Sequence, residues 1–220
     1  RMGTEEQAVS GITNSCKTLL PQGSYELTAY NTPEHIGISG NTATVAESEP
    51  GYMEPMPGYL FSAHQTIDVM ADDTLKVTVP VKQLVRLLNV ELTVTEGDYN
   101  RVQSATATLD GVASQIDIIT GERSTAAKSL NTLVQNGNKF TTSFRLLGII
   151  PTASQKLTVS ILFTNGDTQQ IESNDILTDF NNRTEATTLT GNLLLPIEAG
   201  VTGATITNWK ETDGGDVDAN

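Results

Sequence analysis

The chain has 220 residues, and its 13 Lys+Arg stand against 26 Asp+Glu, which gives a formal net charge of -13. Such a charge repels phosphate backbones and argues against nucleic acid as a partner. The one cysteine, Cys16, excludes an internal disulfide and a cysteine-based metal cluster, and we interpret it as a small hydrophobe near a strand. The sequence lacks the run of about 18 apolar residues that a transmembrane helix needs.

The first third of the chain carries few strong strand patterns. The stretch 50–58 contains three prolines and cannot be a central strand, so we predict a loop there. The strands predicted around it are Gly23–Tyr30, 42–46, 59–63 and 66–70.

Alternation of apolar and polar residues dominates the rest of the chain. It predicts strands at 77–81, 88–95, 105–109, 140–146, 157–164 and 168–171. Strict alternation buries one face of each strand and is typical of antiparallel sheets, so the fold class is all-β, with β-sandwich architecture. The segment 82–88 fits a helix or a strand equally well. One helical turn is predicted at 173–180, with Ser173 or Asn174 as its cap.

Turn residues support the predicted sandwich. Asn165-Gly166 and Asn136-Gly137 predict hairpins, and Glu96-Gly97-Asp98 ends the strand 88–95. A boundary near 71–74 divides the chain into domains 1–72 and 73–220. The first domain is small for a sandwich, so it either shares its core with the second or has lost strands upstream of Arg1.

Candidate catalytic groups are few and scattered. His35 and His64 could bind a metal with Glu34, but no third ligand follows from the spacing, and we interpret both as loop histidines. The sequence has no nucleophile elbow and no phosphate-binding glycine motif. Asp72-Asp73 is typical of a solvated turn, and the acidic stretch 213–218 of a terminal tail. We therefore predict neither an enzyme nor any cofactor or metal.

Sugar binding is the alternative function. Trp209 or Tyr59 could stack on a glycan, which would make the chain a surface glycan-binding module. A lone Trp such as Trp209 more often packs at a sandwich edge with its N–H bonded. Aromatic residues make up only 5% of the chain, which is low for a carbohydrate-binding module.

Three segments resemble a known family. They are LPQGSYELTAYN at 20–31, TLDGVA at 108–113 leading into IDIITG at 116–121, and ITNWK at 206–210. They are similar to the LPxGxYxLxxYN, TLSGVA…DLxTG and ITxW elements of the fimbrillin-A-associated anchor and accessory proteins of Bacteroidales type V pili. The segments occur in the family's order.

The resemblance implies two tandem transthyretin-like β-sandwich domains in a structural, adhesive protein of the cell surface and outer membrane. It implies assembly by strand exchange, in which an arginine-directed protease removes an N-terminal strand and a neighbour's C-terminal strand replaces it. Arg1 fits such a cut, and it fits a simple truncation equally well. The partners implied are other pilus subunits, surface receptors or glycans. The membrane is reached only through a lipidated cysteine upstream of Arg1, since Cys16 lies too near the first strand.

Two site predictions follow from the resemblance. The candidate C-terminal strand, which either donates to a neighbour or closes its own domain, contains Ala204, Thr205, Ile206, Thr207 and Trp209. Thr74 lies in Asp73-Thr74-Leu75, which resembles the O-glycan acceptor triplet used in Bacteroidales.

Overall fold

A computed structural model describes residues 19–71, 74–177, 179–183, 186–197 and 203–213. These residues form strands joined by turns and two short 3-10 turns, at Tyr99–Arg101 and Phe180–Asn182. The strands of the first half are β1 Gly23–Tyr30, β2 Ile36–Ser39, β3 Thr42–Val45, β4 Glu47–Glu49, β5 Tyr52–Met53, β6 Phe61–Val69, β7 Lys82–Gln83 and β8 Arg86–Glu96. Those of the second half are β9 Val102–Asp117, β10 Arg123–Thr132, β11 Val134–Asn136, β12 Lys139–Leu146, β13 Lys156–Phe163, β14 Thr168–Asn174, β15 Thr187–Leu194 and β16 Thr205–Asp213.

The strands form three sheets, so the predicted all-β fold is confirmed. A small sheet has the order β1-β6-β7. The largest has the order β14-β13-β9-β10-β5-β4, and the β2–β3 hairpin joins it through β3 and β9. The third has the order β11-β12-β8-β15-β16. Most neighbours are antiparallel, and β15 runs parallel to β8. No helix of the described residues could span a membrane.

The core lies between the two larger sheets. The inward rows of β8, β9, β12 and β13 are buried and belong to one hydrophobic cluster. Burial along β13 alternates strictly, with Leu157, Val159, Ile161 and Phe163 inside. This is the face that period-two alternation predicts, because successive side chains point to opposite sides of a sheet.

The first part of the chain shares this core. β3 pairs with β9, and β5 pairs with β10, so strands from both sides of residue 72 lie in one sheet. Ala43, Val45 and Met53 are buried in the same cluster as the rows of β8 and β13. β3 and β5 therefore contribute residues to the same core as the later strands. The division at residue 72 stays a prediction.

Two predicted elements are wrong. Residues 77–81 form no strand, and pairing starts only at β7, after Pro80, which has no N–H to give to a ladder. The helical turn at 173–180 is replaced by the end of β14, because Lys156 still pairs with Asn174. Asp175 then has a φ of 50, which an α-helix cannot contain, and the short 3-10 turn begins only at Phe180.

Three turn predictions are confirmed, and one open segment is settled. Asn165-Gly166 joins β13 to β14, Asn136-Gly137 joins β11 to β12, and β8 ends at Glu96. The segment 82–88 is neither one helix nor one strand. It contains the two residues of β7, a break at Leu84 and Val85, and the start of β8.

Gly111 explains why the TLDGVA segment needs a glycine. Its φ is +76, and a Cβ built there would lie 2.8 Å from the backbone oxygen of Ser154. The ladder between β9 and β10 shifts register close by, between Ala127 and Lys128. The segment is therefore a bulge in the long strand β9 against which the 148–155 loop packs.

Gly111→Ala should lower the free energy of unfolding by about 2 kcal/mol or more, since Ala adds left-handed strain and a backbone collision. Gly137→Ala is the matched control. Gly137 has a φ of +60 but nothing within 4 Å of the added Cβ, so only the strain of about 1 kcal/mol remains. Urea unfolding measures both. Equal losses for the two variants would contradict the proposed collision at Ser154.

Candidate assembly site

The strands β1 and β6 form a ribbon with one apolar and one polar face. They pair over their full length from Gly23 opposite Val69 to Tyr30 opposite Ser62. Residues that face each other lie on the same side of an antiparallel pair. One side therefore contains Tyr25, Leu27, Ile67 and Val69, all half-buried, whereas most residues of the other side are exposed.

The apolar face of this ribbon lies outside the hydrophobic core. Tyr25, Leu27, Ile67 and Val69 belong neither to the buried cluster nor to the partly buried residues packed against it. The outer edge of β6 is also open, because among the described strands β7 covers only Phe61 and Ser62 there. Unpaired N–H and C=O groups beside an apolar face form a template for a further strand.

The polar face of the ribbon holds a chain of cross-strand contacts. His64 Nε2 lies 2.9 Å from Glu26 Oε2, and His64 Nδ1 lies 3.0 Å from Thr28 Oγ1. Thr66 Oγ1 donates to the other oxygen of Glu26. A hydroxyl, an imidazole and a carboxylate in line resemble a catalytic triad, but the Glu26 side chain is 60% exposed. A triad needs oxyanion donors in a site that excludes water, so this is a surface network between strands.

His35 has a structural position. It lies in the turn before β2 with a φ of 60, and its carbonyl oxygen accepts the N–H of Ala46. The described residues contain no group of three or more His, Cys, Asp or Glu that could hold a metal. Glu34 contributes through its backbone, since its carbonyl oxygen accepts the N–H of Gly58.

Asp117 organises the turn of the IDIITG segment. Its Oδ1 accepts the N–H groups of Ile119 and Thr120, and its carbonyl oxygen accepts the N–H of Gly121. The backbone N–H of Thr120 is the main cause that lowers the pKa of the Asp117 carboxyl below its ordinary value. The segment therefore joins β9 to β10, and its aspartate is structural.

Asp117→Ala should lower the free energy of unfolding at pH 7 by about 1 kcal/mol, since two backbone N–H groups lose their acceptor. A lowered folded pKa contributes stability that is present above the unfolded pKa, near 4, and is lost as the pH falls through the folded value. Asp117→Asn should thus approach wild-type stability below pH 4. Urea unfolding between pH 3 and 7 tests this, and a constant difference between the two proteins would contradict it.

The candidate C-terminal strand lies in β16. Thr205, Ile206, Thr207 and Trp209 are part of β16, and Ala204 immediately precedes it. In this structure the strand pairs antiparallel with β15 of its own chain, from Thr205 opposite Leu194 to Asp213 opposite Thr187. Among the described strands it is the outermost of its sheet, and whether it also donates to a neighbour stays a prediction.

A bulge places two apolar residues of β16 on the core side. Asn208 has a φ of 54, and the register with β15 shifts between Thr190 and Asn192. Ile206 and Trp209 are consequently both packed against the core. In a regular strand, residues three positions apart would lie on opposite faces. Gly191 lies beneath them, because a Cβ there would be 2.8 Å from Ile206 and 3.0 Å from the Trp209 ring.

Trp209 connects the two larger sheets. Its indole N–H donates to Ser173 Oγ on β14 over 3.0 Å, while its ring packs against the core. Tyr59 is also engaged, since the Arg145 guanidinium lies 5.8 Å from the centre of its ring. Both aromatic candidates for sugar stacking are therefore occupied by contacts within the protein.

The remaining predicted residues lie in loops or outside the described residues. Thr74 is exposed and lies outside any strand, so it remains a candidate acceptor. Cys16, Asp72, Asp73 and the tail beyond Asp213 lie outside the described residues. Sequence patterns gave no signal for Arg86 and Arg123, two buried or half-buried arginines near one end of the core.

Several solved structures share the fold of this chain. The fimbrial anchor protein Mfa2 from Porphyromonas gingivalis superposes with a TM-score of 0.58 at 9% identity, covering 89% of this chain and 77% of that one. Two crystal structures of candidate adhesins from Bacteroides ovatus give TM-scores of 0.59 at 10% identity, with 89% and 77% covered, and 0.57 at 15% identity, with 84% and 76% covered. A comparison of this chain with curated proteins found no match.

The three sheets and these structural matches define an all-β protein of the β-sandwich class. A family model described as "Fimbrillin-A associated anchor proteins Mfa1 and Mfa2" matches residues 4–214. The chain belongs to this family. It is accordingly a pilus-associated, adhesive protein of the cell surface, with a structural role.

Proposed function

We propose that this chain binds a neighbouring pilus subunit by accepting an extended strand of that subunit on the outer edge of β6. The observation that carries the proposal is the β1–β6 ribbon, whose apolar face is outside the core and whose β6 edge no described strand covers from Ala63 to Val69. Strand addition would pair these backbone groups, and alternate side chains of the donor would cover Ile67 and Val69.

Residues 74–81 of the same chain could also pair with this edge of β6. β7 pairs Ser62 with Lys82, and continuing that register would place Val81 opposite Ala63 and Val77 opposite Ile67. Residues 74–81 form no strand, and Leu75, Val77 and Val81 are 48%, 38% and 50% exposed. Pro80 interrupts this segment's ladder, so an uninterrupted donor strand would pair better with β6.

The β16 strand does not act as the donor in this arrangement. It is paired with β15, and Trp209 holds it to β14, so releasing it would break its own sandwich. The donor in the proposed complex comes from the other subunit, and this chain is the acceptor. An anchor or terminal subunit needs only one such site.

Hydrogen exchange tests the proposal with two purified proteins. This chain is mixed with the major pilus subunit of the same organism, and a complex is isolated by size-exclusion chromatography. Amides of 63–69 should exchange at least 10-fold more slowly in the complex, because strand pairing protects them. Amides of 205–213 on β16 are the internal control and should not change.

Two results would contradict the proposal. Protection confined to β16 in the complex would show that the subunit binds at β16 and not at β6. Equal protection of 63–69 and 75–81 in the isolated chain would show that the chain fills the edge itself.

The proposal includes attachment to the outer membrane through a lipidated cysteine that precedes residue 1 in the encoded protein. It also includes an O-glycan on Thr74, whose side chain is exposed in the structure. Metabolic labelling of the native protein with a palmitate analogue tests the first. Intact mass of the native protein and of a Thr74→Ala variant tests the second, and a wild-type mass equal to the bare polypeptide would exclude the glycan.

A further inference from the structure

Arg86 is a charged residue at the end of a hydrophobic row. It begins β8, and the inward row continues with Leu88, Val90 and Leu92. Arg86 is only 9% exposed. One of its terminal nitrogens donates to the Phe180 carbonyl oxygen over 3.3 Å, whereas its buried Nε has no hydrogen-bond partner.

A second arginine lies close to Arg86. Arg123 begins β10, and its Nε donates to the Leu147 carbonyl oxygen over 2.7 Å. Gly148 lies between the Arg123 side chain and Asn181, the residue after Phe180. The Arg86 and Arg123 side chains therefore bond to adjoining parts of the backbone, and Arg123 lies near enough to repel the charge of Arg86.

No carboxylate balances this pair within the described part of the chain. The salt bridges of the described residues include neither arginine. Burial, followed by repulsion from Arg123, lowers the pKa of Arg86 to about 10, so Arg86 is still charged at neutral pH. Burial also lowers the pKa of Arg123. Two cations removed from water without an opposite charge are costly, and the free Nε adds an unsatisfied donor.

We propose that Arg86 and Arg123 form a binding site for a carboxylate. A carboxylate has two oxygens, so it can accept from both guanidinium groups and can take the unpaired Arg86 Nε–H. It would also end the repulsion between the two cations. In a chain with a net charge of -13, such a site is where an acidic group of a partner is attracted instead of repelled.

The carboxylate has two possible sources, a free small acid or an acidic side chain of a bound protein. Both present the same chemistry to the arginines. The first is tested with acetate alone. The second is tested in the complex with the pilus subunit, where a bound acidic side chain should remove the response to acetate.

Thermal unfolding of the full chain at constant ionic strength is the experiment. Sodium acetate replaces sodium chloride stepwise, and the wild-type Tm should rise by about 3 °C and then saturate as the site fills. Arg123→Gln and Arg86→Met should lose this rise. Lys139→Gln removes one exposed charge from β12 and should keep it.

The Tm values of wild type and of the arginine variants in acetate and in chloride decide whether the site exists. A wild-type Tm that is equal in acetate and chloride would overturn the proposal. An acetate response of the same size in Arg123→Gln would also overturn it, since the effect would then be general. If Arg86→Met fails to fold, the Arg123→Gln and Lys139→Gln pair still distinguishes the two results.

Discussion

Trp209→Ala should lower the free energy of unfolding by about 3 kcal/mol, which corresponds to a Tm drop of roughly 6–12 °C for a domain of this size. The ring packs against the core, and its N–H bonds to Ser173 on the opposite sheet. Alanine would leave a gap above Gly191 and would release the last strand of its sheet. Urea unfolding followed by circular dichroism measures the loss.

Two variants divide the effect of Trp209 into its parts. Trp209→Phe keeps most of the packing and loses the hydrogen bond, so it should cost about 1 kcal/mol. Lys210→Ala changes an exposed neighbour on the same strand and should stay within about 0.5 kcal/mol of wild type. A stable Trp209→Ala protein that no longer binds a glycan would instead support the sugar-binding alternative.

Ile67→Lys should weaken binding of the pilus subunit at least 10-fold and leave the fold intact. Ile67 lies on the half-buried apolar face of the ribbon, outside the core, so a lysine there costs less stability in the free chain than one in the core would. In the complex the donor strand would cover this position, and burying an unpaired ammonium group is unfavourable. Surface plasmon resonance with the purified subunit measures the affinity.

Thr66→Lys is the matched control for Ile67→Lys. It introduces the same charge one residue away on the same strand, but on the polar face, where Thr66 contacts Glu26. Its affinity for the subunit should remain within about threefold of wild type. Equal weakening by both variants would indicate that charge, and not the apolar face, governs the contact.

Trp209 and Ile67 lie on the two strands that the proposed assembly concerns, β16 and β6. At the C-terminal end, β16 pairs with β15 of its own chain, and Trp209 holds it to β14. At the N-terminal end, β1 and β6 form a ribbon whose apolar face lies outside the hydrophobic cluster of the described residues. A partner strand that binds only the folded ribbon would raise the stability of the chain.

Local patterns predicted most of the strands. Burial alternates strictly in β13 and from Arg86 to Val94 in β8, because one face of each strand lies in a dry core and the other does not. Asn-Gly turns predicted two hairpins because few other residue pairs adopt their backbone angles. The alternation at 77–81 predicted a strand that is absent, because a pattern does not reveal whether a neighbouring edge is paired.

Other features depend on contacts between distant residues. β15 pairs in parallel with β8, and β3 pairs antiparallel with β9. Both pairings join segments that are far apart in sequence. The meeting of Arg86 with Arg123 depends on the same topology, and a lone arginine has no period or spacing that signals a partner. The carbonyl oxygen of Phe180 and the close approach of Gly148 likewise follow only from the folded chain.

The sequence by itself determined the class of this protein: an acidic, all-β chain with alternating strands, turn glycines and the short segments of the fimbrial anchor family. These are local properties, set by side-chain period and backbone preference, and they survive without knowledge of the fold. Only the tertiary structure showed that β16 pairs with β15 of its own chain and that, among the described strands, β7 covers only the start of the outer edge of β6. Pairing partners are chosen by long-range packing, so a strand's pattern shows that it needs a neighbour but not which chain provides it.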